Sequence, residues 1–373
     1  MRFPGFEEEW ERKEIGQTMK IGSGRDYKHL KEGEIPVFGT GGYMTSVNDH
    51  LMDGETVCIG RKGTINKPFY YSGKFWTVDT LFYTHSFKGI IPKFAFHVFE
   101  HINWLKYNEA SGVPSLSKNT IEQIEIEIPS IPEQNKVGLF LSLVDERIQC
   151  QSKIIEELKS FKSAVSKRIF SQELRFKDEN GEECPDWEEK KLWEIAEKRI
   201  KKNIDNKIIN VFTNSAINGI VNQRDFFEKD IANQNNLNGY YIVENNDFVY
   251  NPRISSTAPV GPISRNHLGS GVMSPLYSVF RLKLGNIDFI ECIFNTNVWH
   301  KHMENIANYG ARADRMSFAI GDFYEMPIPF PSLSEQTKIA NFLSSIDEKI
   351  ETEKQIIEQY KKQKAYLLQN IFI

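Results

Sequence analysis

Cysteine is scarce in this 373-residue chain. The four residues Cys58, Cys150, Cys184 and Cys292 lie far apart and form no CxxC pair. That excludes a disulfide framework and a cysteine-based zinc site, and it reads as reduced, structural thiols. No long apolar run is present, so a transmembrane helix is not expected. The opening stretch MRFPGFEEEWERKEIG is acidic and has no apolar segment, so it is not read as a signal peptide; the expectation is a cytoplasmic protein with no membrane role. A basic excess is missing too. Net charge is −4 and the sequence pI about 6.1, with KRIKK (Lys198–Lys202) as the one dense basic run. Phosphate neutralisation supplies most non-specific affinity for nucleic acid, so this balance argues against a stand-alone DNA clamp. A DNA role must rest on a few placed side chains or on partners that complete the channel.

Recognised catalytic patterns are also absent. There is no Walker loop, helicase motif or paired-carboxylate nuclease pattern. YNPRI (Tyr250–Ile254) approaches the loop with which adenine-amino methyltransferases hold a flipped base, but Arg253 and Ile254 stand where a second proline and an aromatic are needed. FGTGG (Phe38–Gly42) has the wrong glycine spacing for a dinucleotide loop. His97 and His101 are four apart on an expected helix, without a carboxylate or cysteine recognisable as a further ligand, and read as a helix edge. His300 and His302 are no better placed. The expectation is no catalytic residue, no metal and no cofactor in this chain.

What is present is a repeat. Pro129–Ser171 lies over Pro331–Ile373 without a gap, and roughly 18 of 43 positions are identical. Glu133-Gln134 matches Glu335-Gln336, Asp145-Glu146 matches Asp347-Glu348, and Ile154-Ile155-Glu156 matches Ile356-Ile357-Glu358. The likeness weakens upstream, yet each half also begins with a tryptophan in a charged setting, EEEWERKEI and CPDWEEKKLWEI. The chain is therefore a tandem duplication with well-kept ends and diverged middles.

The repeated segment has the period of a coiled-coil helix. Its seam in the first copy is Val137, Leu141, Val144, Ile148, Ile155, Leu158, Val165 and Ile169, interrupted by Gln151 and Lys162. In the second it is Ile339, Leu343, Ile346, Ile350, Ile357, Tyr360, Leu367 and Ile371, interrupted by Glu353 and Lys364. Pro132 and Glu133 suit a helix start. A lone helix of this kind would expose its apolar stripe, and an antiparallel pair within the chain buries it. The register expected for that pair sets Lys162 against Glu353 and Gln151 against Lys364.

The middles carry short β-branched and aromatic runs such as GETVCIG, FWTVDTLFYTH, NDFVYNP and LYSVFRLK, divided by glycine- and asparagine-rich turns. The fold class is α+β: two strand-rich globular domains, each a curved sheet with a few helices, separated by two long antiparallel coiled-coil helices in a pseudo-twofold repeat. The expected divisions are 1–128, 129–180 with the first long helix, 181–330, and 331–373 with the second. Candidate DNA-contacting residues sit on loops. GRKGTINKP offers Arg61, Lys62, Thr64 and Lys67; NPRISSTAPVGPISR offers Arg253, Ser255 and Arg265; YGARADR offers Arg312 and Arg315. Such side chains read base edges or grip phosphates.

The doubled EQ–K–(I/V)–x–x–FL–S–x–(V/I)–DE–(R/K)–I pattern, with IGRKGTIN…FWTVDTLFY and FVYNPR…GVMSPLYSVFRL, resembles the specificity (S) subunits of type I restriction–modification systems over nearly the whole chain. The resemblance implies a non-catalytic subunit whose two recognition domains read the halves of a split, asymmetric target in double-stranded DNA, held at fixed spacing by the helices. It implies two methylation (M) subunits that use S-adenosylmethionine to methylate adenine. It also implies restriction (R) subunits that use ATP and Mg. A coiled-coil scaffold with globular domains for non-DNA partners is the competing class.

Overall fold

In the computed structural model the described residues are 2–226, 237–308 and 314–372. They form two compact units, 1–155 with 353–373, and 156–352. These units divide the chain differently from the four expected segments, because each includes a globular part together with portions of both long helices. No helix among the described residues is long and apolar enough to cross a membrane.

In the first unit a six-stranded sheet runs in the order Lys20–Ser23, Leu81–His85, Met52–Gly60, Phe69–Thr77, Glu32–Gly39, Gly42–Val47. All neighbours are antiparallel except Glu32–Gly39 and Phe69–Thr77, which run parallel. From Thr56 to Gly60 the central strand is buried without alternation, as expected where both faces are covered. Burial pushes the Cys58 thiol well above its ordinary range, which suits a packing role. The helix Pro92–His101 closes one face with Phe94, Val98 and Phe99. Val137 and Leu141 of the first long helix and Leu367 and Ile371 of the second complete that core.

The second unit is built from shorter pieces. Its sheet has four antiparallel strands, Ala196–Lys198, Ser278–Leu282, Phe248–Tyr250 and Ile263–Arg265. Three ribbons stand apart, Phe212–Ser215 with Gly219–Asn222, Tyr241–Val243 with Gly271–Met273, and Glu188–Lys191 with Pro327–Phe330. Thus the single sheet expected for this half is divided among the described residues. Stacked Phe248 and Phe280, joined by Phe294 and Phe323, fill the centre.

The long helices span Ile131–Phe170 and Leu333–Ile371. All sixteen seam residues are buried or half-buried. The register differs from expectation by about one heptad. In the first unit Gln151 donates to Glu353, and Lys364 reaches Asp145 at 2.5 Å and Glu100 at 2.6 Å. In the second, Lys162 meets Asp347 at 2.6 Å. This register gives each inward lysine a carboxylate, whereas the expected one would set Lys364 against the neutral Gln151.

The doublet Glu133-Gln134 and its copy Glu335-Gln336 are fully buried at the helix starts. Arg2 forks onto Glu133, with Nε and Nη2 each 2.9 Å from a carboxylate oxygen. Arg175 forks onto Glu335 at 2.7 and 2.9 Å, and Trp187 Nε1 adds a third donor at 3.0 Å. Gln134 accepts from the backbone N–H of Ile91, and Gln336 from that of Asn286. Each glutamine also donates to a proline carbonyl, Pro129 or Pro331. The same bonds therefore tie each long helix to its own globular part.

Candidate DNA-reading loops

The strand Met52–Gly60 ends in the turn that carries Arg61 and Lys62, and Gly63 takes φ +88°, a backbone state that favours glycine. This turn pairs with the segment before the first long helix: Gly63 N–H donates to Pro114 O, Leu116 N–H donates to Arg61 O, and Lys62 stands opposite Ser115. Lys62 and Lys67 are exposed and Thr64 is half-buried. Arg61 is exposed, with its guanidinium 5.8 Å from the Phe82 ring and 3.4 Å from Asp79 O.

The second unit repeats the arrangement. Ile254 N–H donates to Asp314 O, Met316 N–H donates to Pro252 O, and Arg253 stands opposite Arg315. Matching these bonds makes Arg253 the positional counterpart of Lys62, and Arg315 that of Ser115. Asp314 lies 3.9 Å from the Arg253 guanidinium. The Ser255 hydroxyl accepts from Ala258 N–H within a tight turn, 3.1 Å from Thr257 Oγ1. Sequence reasoning missed Ser115 and Asp314; the strand-like pairing that brings them to the basic loops joins segments about fifty to sixty residues apart.

Arg265 corrects an expectation. Its guanidinium is 11% exposed and forks onto Asn246 at 2.9 and 2.7 Å, while Nη1 faces Asp288 at 2.5 Å and Glu291 at 3.2 Å. Its donors are spent inside the unit, so it is a structural clamp and leaves the reading set. Arg312 lies outside the described residues.

The histidine pair also differs from its reading. His97 is buried, whereas His101 is exposed and lies against the Phe372 ring. Folding brings two carboxylates to His97 that were not recognised as neighbours: Glu100, 3.0 Å from Nδ1, and Asp145, 3.9 Å away. Glu100, Asp145 and His97 offer three ligand atoms within 4.8 Å of one another. The Lys364 ammonium bonds both carboxylates, so a fixed cation already balances this cluster.

Fold and loops together define a duplicated α+β protein, in which each unit presents a matched loop pairing ahead of a repeated long helix. The model of the type I restriction modification DNA specificity domain matches residues 7–160 and again 185–362. The chain belongs to that family. It is 25% identical over 175 residues to the EcoprrI specificity subunit of Escherichia coli, covering 45% of this chain and 43% of that protein. It is also 25% identical over 277 residues to the MjaVIII specificity subunit of Methanocaldococcus jannaschii, covering 70% of this chain and 64% of the relative. Each match therefore spans less than two thirds of the relative's length. The solved S subunit of a type I system from M. genitalium has the same fold, with TM-score 0.62, 14% identity, and coverage of 100% of this chain and 97% of the other. A chain from a structural study of complex assembly and conformational transition in the type I system has TM-score 0.55 at 12% identity, with 98% and 97% covered.

Proposed function

We propose that this chain is the sequence-reading subunit of a type I restriction–modification complex. In this reading each unit recognises one half of a split, non-palindromic site in double-stranded DNA. The chain itself performs no chemistry: methylation subunits bring S-adenosylmethionine and modify adenine, and restriction subunits bring ATP and Mg. The complex works in the cytoplasm.

One observation carries the reading. The same backbone pairing presents Lys62 opposite Ser115 in one unit and Arg253 opposite Arg315 in the other. A common scaffold with different side chains at its tips is what two readers of different half-sites require, since base edges are discriminated by donor and acceptor pattern. Arginine and lysine suit guanine O6 and N7, and serine pairs with either base type.

The test is to purify the chain with its methylation subunits and supply labelled S-adenosylmethionine and genomic DNA. Methylation at a single split motif is expected. Sequence-independent labelling, or none, would overturn the reading, and binding of a protein partner alone would favour a scaffold. In the same assay Arg253→Ala is expected to weaken target binding by about 1–3 kcal/mol, the worth of a base contact.

A further inference from the structure

We propose that the second unit holds a phosphate-gripping groove, formed by the first long helix and the loops of the recognition part, that seats the sugar–phosphate backbone of one DNA strand. The proposal deepens the reading above and rests on it for the identity of the polyanion. The groove has a volume of about 900 Å³. Lys159, Ser163, Ser166 and Phe170, spaced by four, three and four, lie on one helix face and line it, with Lys167 beside them. Across from them stand hydroxyl and amide groups, among them Thr257, Ser264 and Asn295.

Charge decides the kind of occupant. The chain has 50 acidic residues against 46 Lys and Arg, yet no Asp or Glu is among the described residues lining this groove. Three lysines are there. Lys162 is held by Asp347, whereas Lys159 and Lys167 make no ion pair among the described residues. Eight residues of helix separate those two, an axial distance of roughly 12 Å. One strand of duplex DNA carries a phosphate for about every 3.4 Å of duplex axis, so two lysines this far apart can reach different phosphates of the same strand. Lysines interspersed with hydroxyls and amides are the groups that hold phosphates. One wall also belongs to the loop of Ser255 and Thr257, so a strand lying here runs on to the candidate reading residues.

The duplicated helix lacks this face. At the matching positions in the first unit Lys361 is paired with Glu358, Lys364 is enclosed by Glu100 and Asp145, and Leu368 packs against the apolar core. Ser166 of the groove is thus replaced by a leucine that packs on the core. The grip belongs to the second unit alone.

The experiment compares the wild-type chain, with its methylation subunits, against Lys159→Gln/Lys167→Gln and, separately, Ser166→Glu, with circular dichroism confirming folding. Fluorescence anisotropy measures affinity for target and unrelated duplexes across a salt series. Each lost phosphate contact lowers the log–log salt slope by about 0.9, so the double variant is expected to lose about 2. The target-to-unrelated ratio should stay as in the wild type, and Ser166→Glu should weaken both duplexes alike. An unchanged slope in both variants overturns the groove, and so does a changed ratio, because phosphates carry no sequence. Polyglutamate that displaces from the wild type but not from the double variant, with the slope unchanged, would assign the groove to an acidic protein instead. A wild-type complex that fails to discriminate its target would defeat the sequence-reading function, while the slope would still test the groove.

Discussion

Lys364 and Lys162 occupy matching places in the repeated helix and pair with matching carboxylates, Asp145 and Asp347, yet their surroundings differ. Lys364 is 11% exposed and serves two carboxylates beneath the Phe96 ring. Lys162 is 25% exposed and its partner Asp347 is 54% exposed. Removing one member of a buried pair strands the other charge, whereas a solvated pair is worth little. Lys364→Met is therefore expected to destabilise by about 3 kcal/mol, and Lys162→Met by less than about 1 kcal/mol; thermal denaturation of the two variants side by side checks the contrast. The same cluster sets a pH dependence. Burial opposes ionisation of Glu100, but bonds from His97 and Lys364 outweigh it and hold the carboxyl below its ordinary range. For Asp145 burial prevails over Lys364, and its carboxyl is raised. The signs are opposite. The stability from Glu100 is present at neutral pH and lost as pH falls below about 4.5. The contribution of Asp145 is present at low pH and lost as pH rises from about 3.8 through its raised value. Glu100→Gln should flatten the acid limb of a stability–pH curve, and Asp145→Asn should steepen it; the reverse pattern would refute the assignment. None of this was legible from the sequence around His97, because Asp145 and Lys364 come from two distant helices.

The long helices were the most legible elements, because a 3.5-residue apolar period over forty residues has one structural meaning. Their register was not, since it turns on which carboxylate each inward lysine reaches, a matter of side-chain geometry one position off the seam. The role of the repeated Glu-Gln doublet was equally hidden. Its place at a helix start could be read, but not that Glu335 is fully buried and receives three side-chain donors from Arg175 and Trp187. Glu335→Gln keeps the shape but leaves the Arg175 guanidinium facing a neutral amide. A loss of about 3 kcal/mol is expected, measured as a lowered urea midpoint; an unchanged midpoint would mean that the fork does not pin the helix. In the second unit the strands are only three to five residues long. Periodicity over so few residues cannot separate one sheet from a small sheet with three detached ribbons, so the division of that half escaped the sequence.

At the scale of the molecule the duplication separates what is kept from what has diverged. Both units keep the helix-start forks, the buried tryptophan bond from Trp104 to Phe99 O and from Trp299 to Phe294 O, and the loop pairing ahead of each long helix. They differ in what the paired loops present: Lys62 with Ser115 against Arg253 with Arg315. Loops on a rigid scaffold can change chemistry without disturbing the core beneath, so each unit should be alterable alone. Replacing Arg253 and Arg315 together by alanine removes two exposed or half-exposed guanidinium groups whose backbone pairing stays in place. The methylated motif of the variant complex, read by sequencing modified genomic DNA, should then degenerate in one half-site and keep the other half and the spacer. Lys62→Ala with Ser115→Ala should relax the opposite half. If either double variant relaxes both halves equally, the loops act on overall affinity and not as separate readers. A motif unchanged in both would move the reading surface elsewhere on the two units.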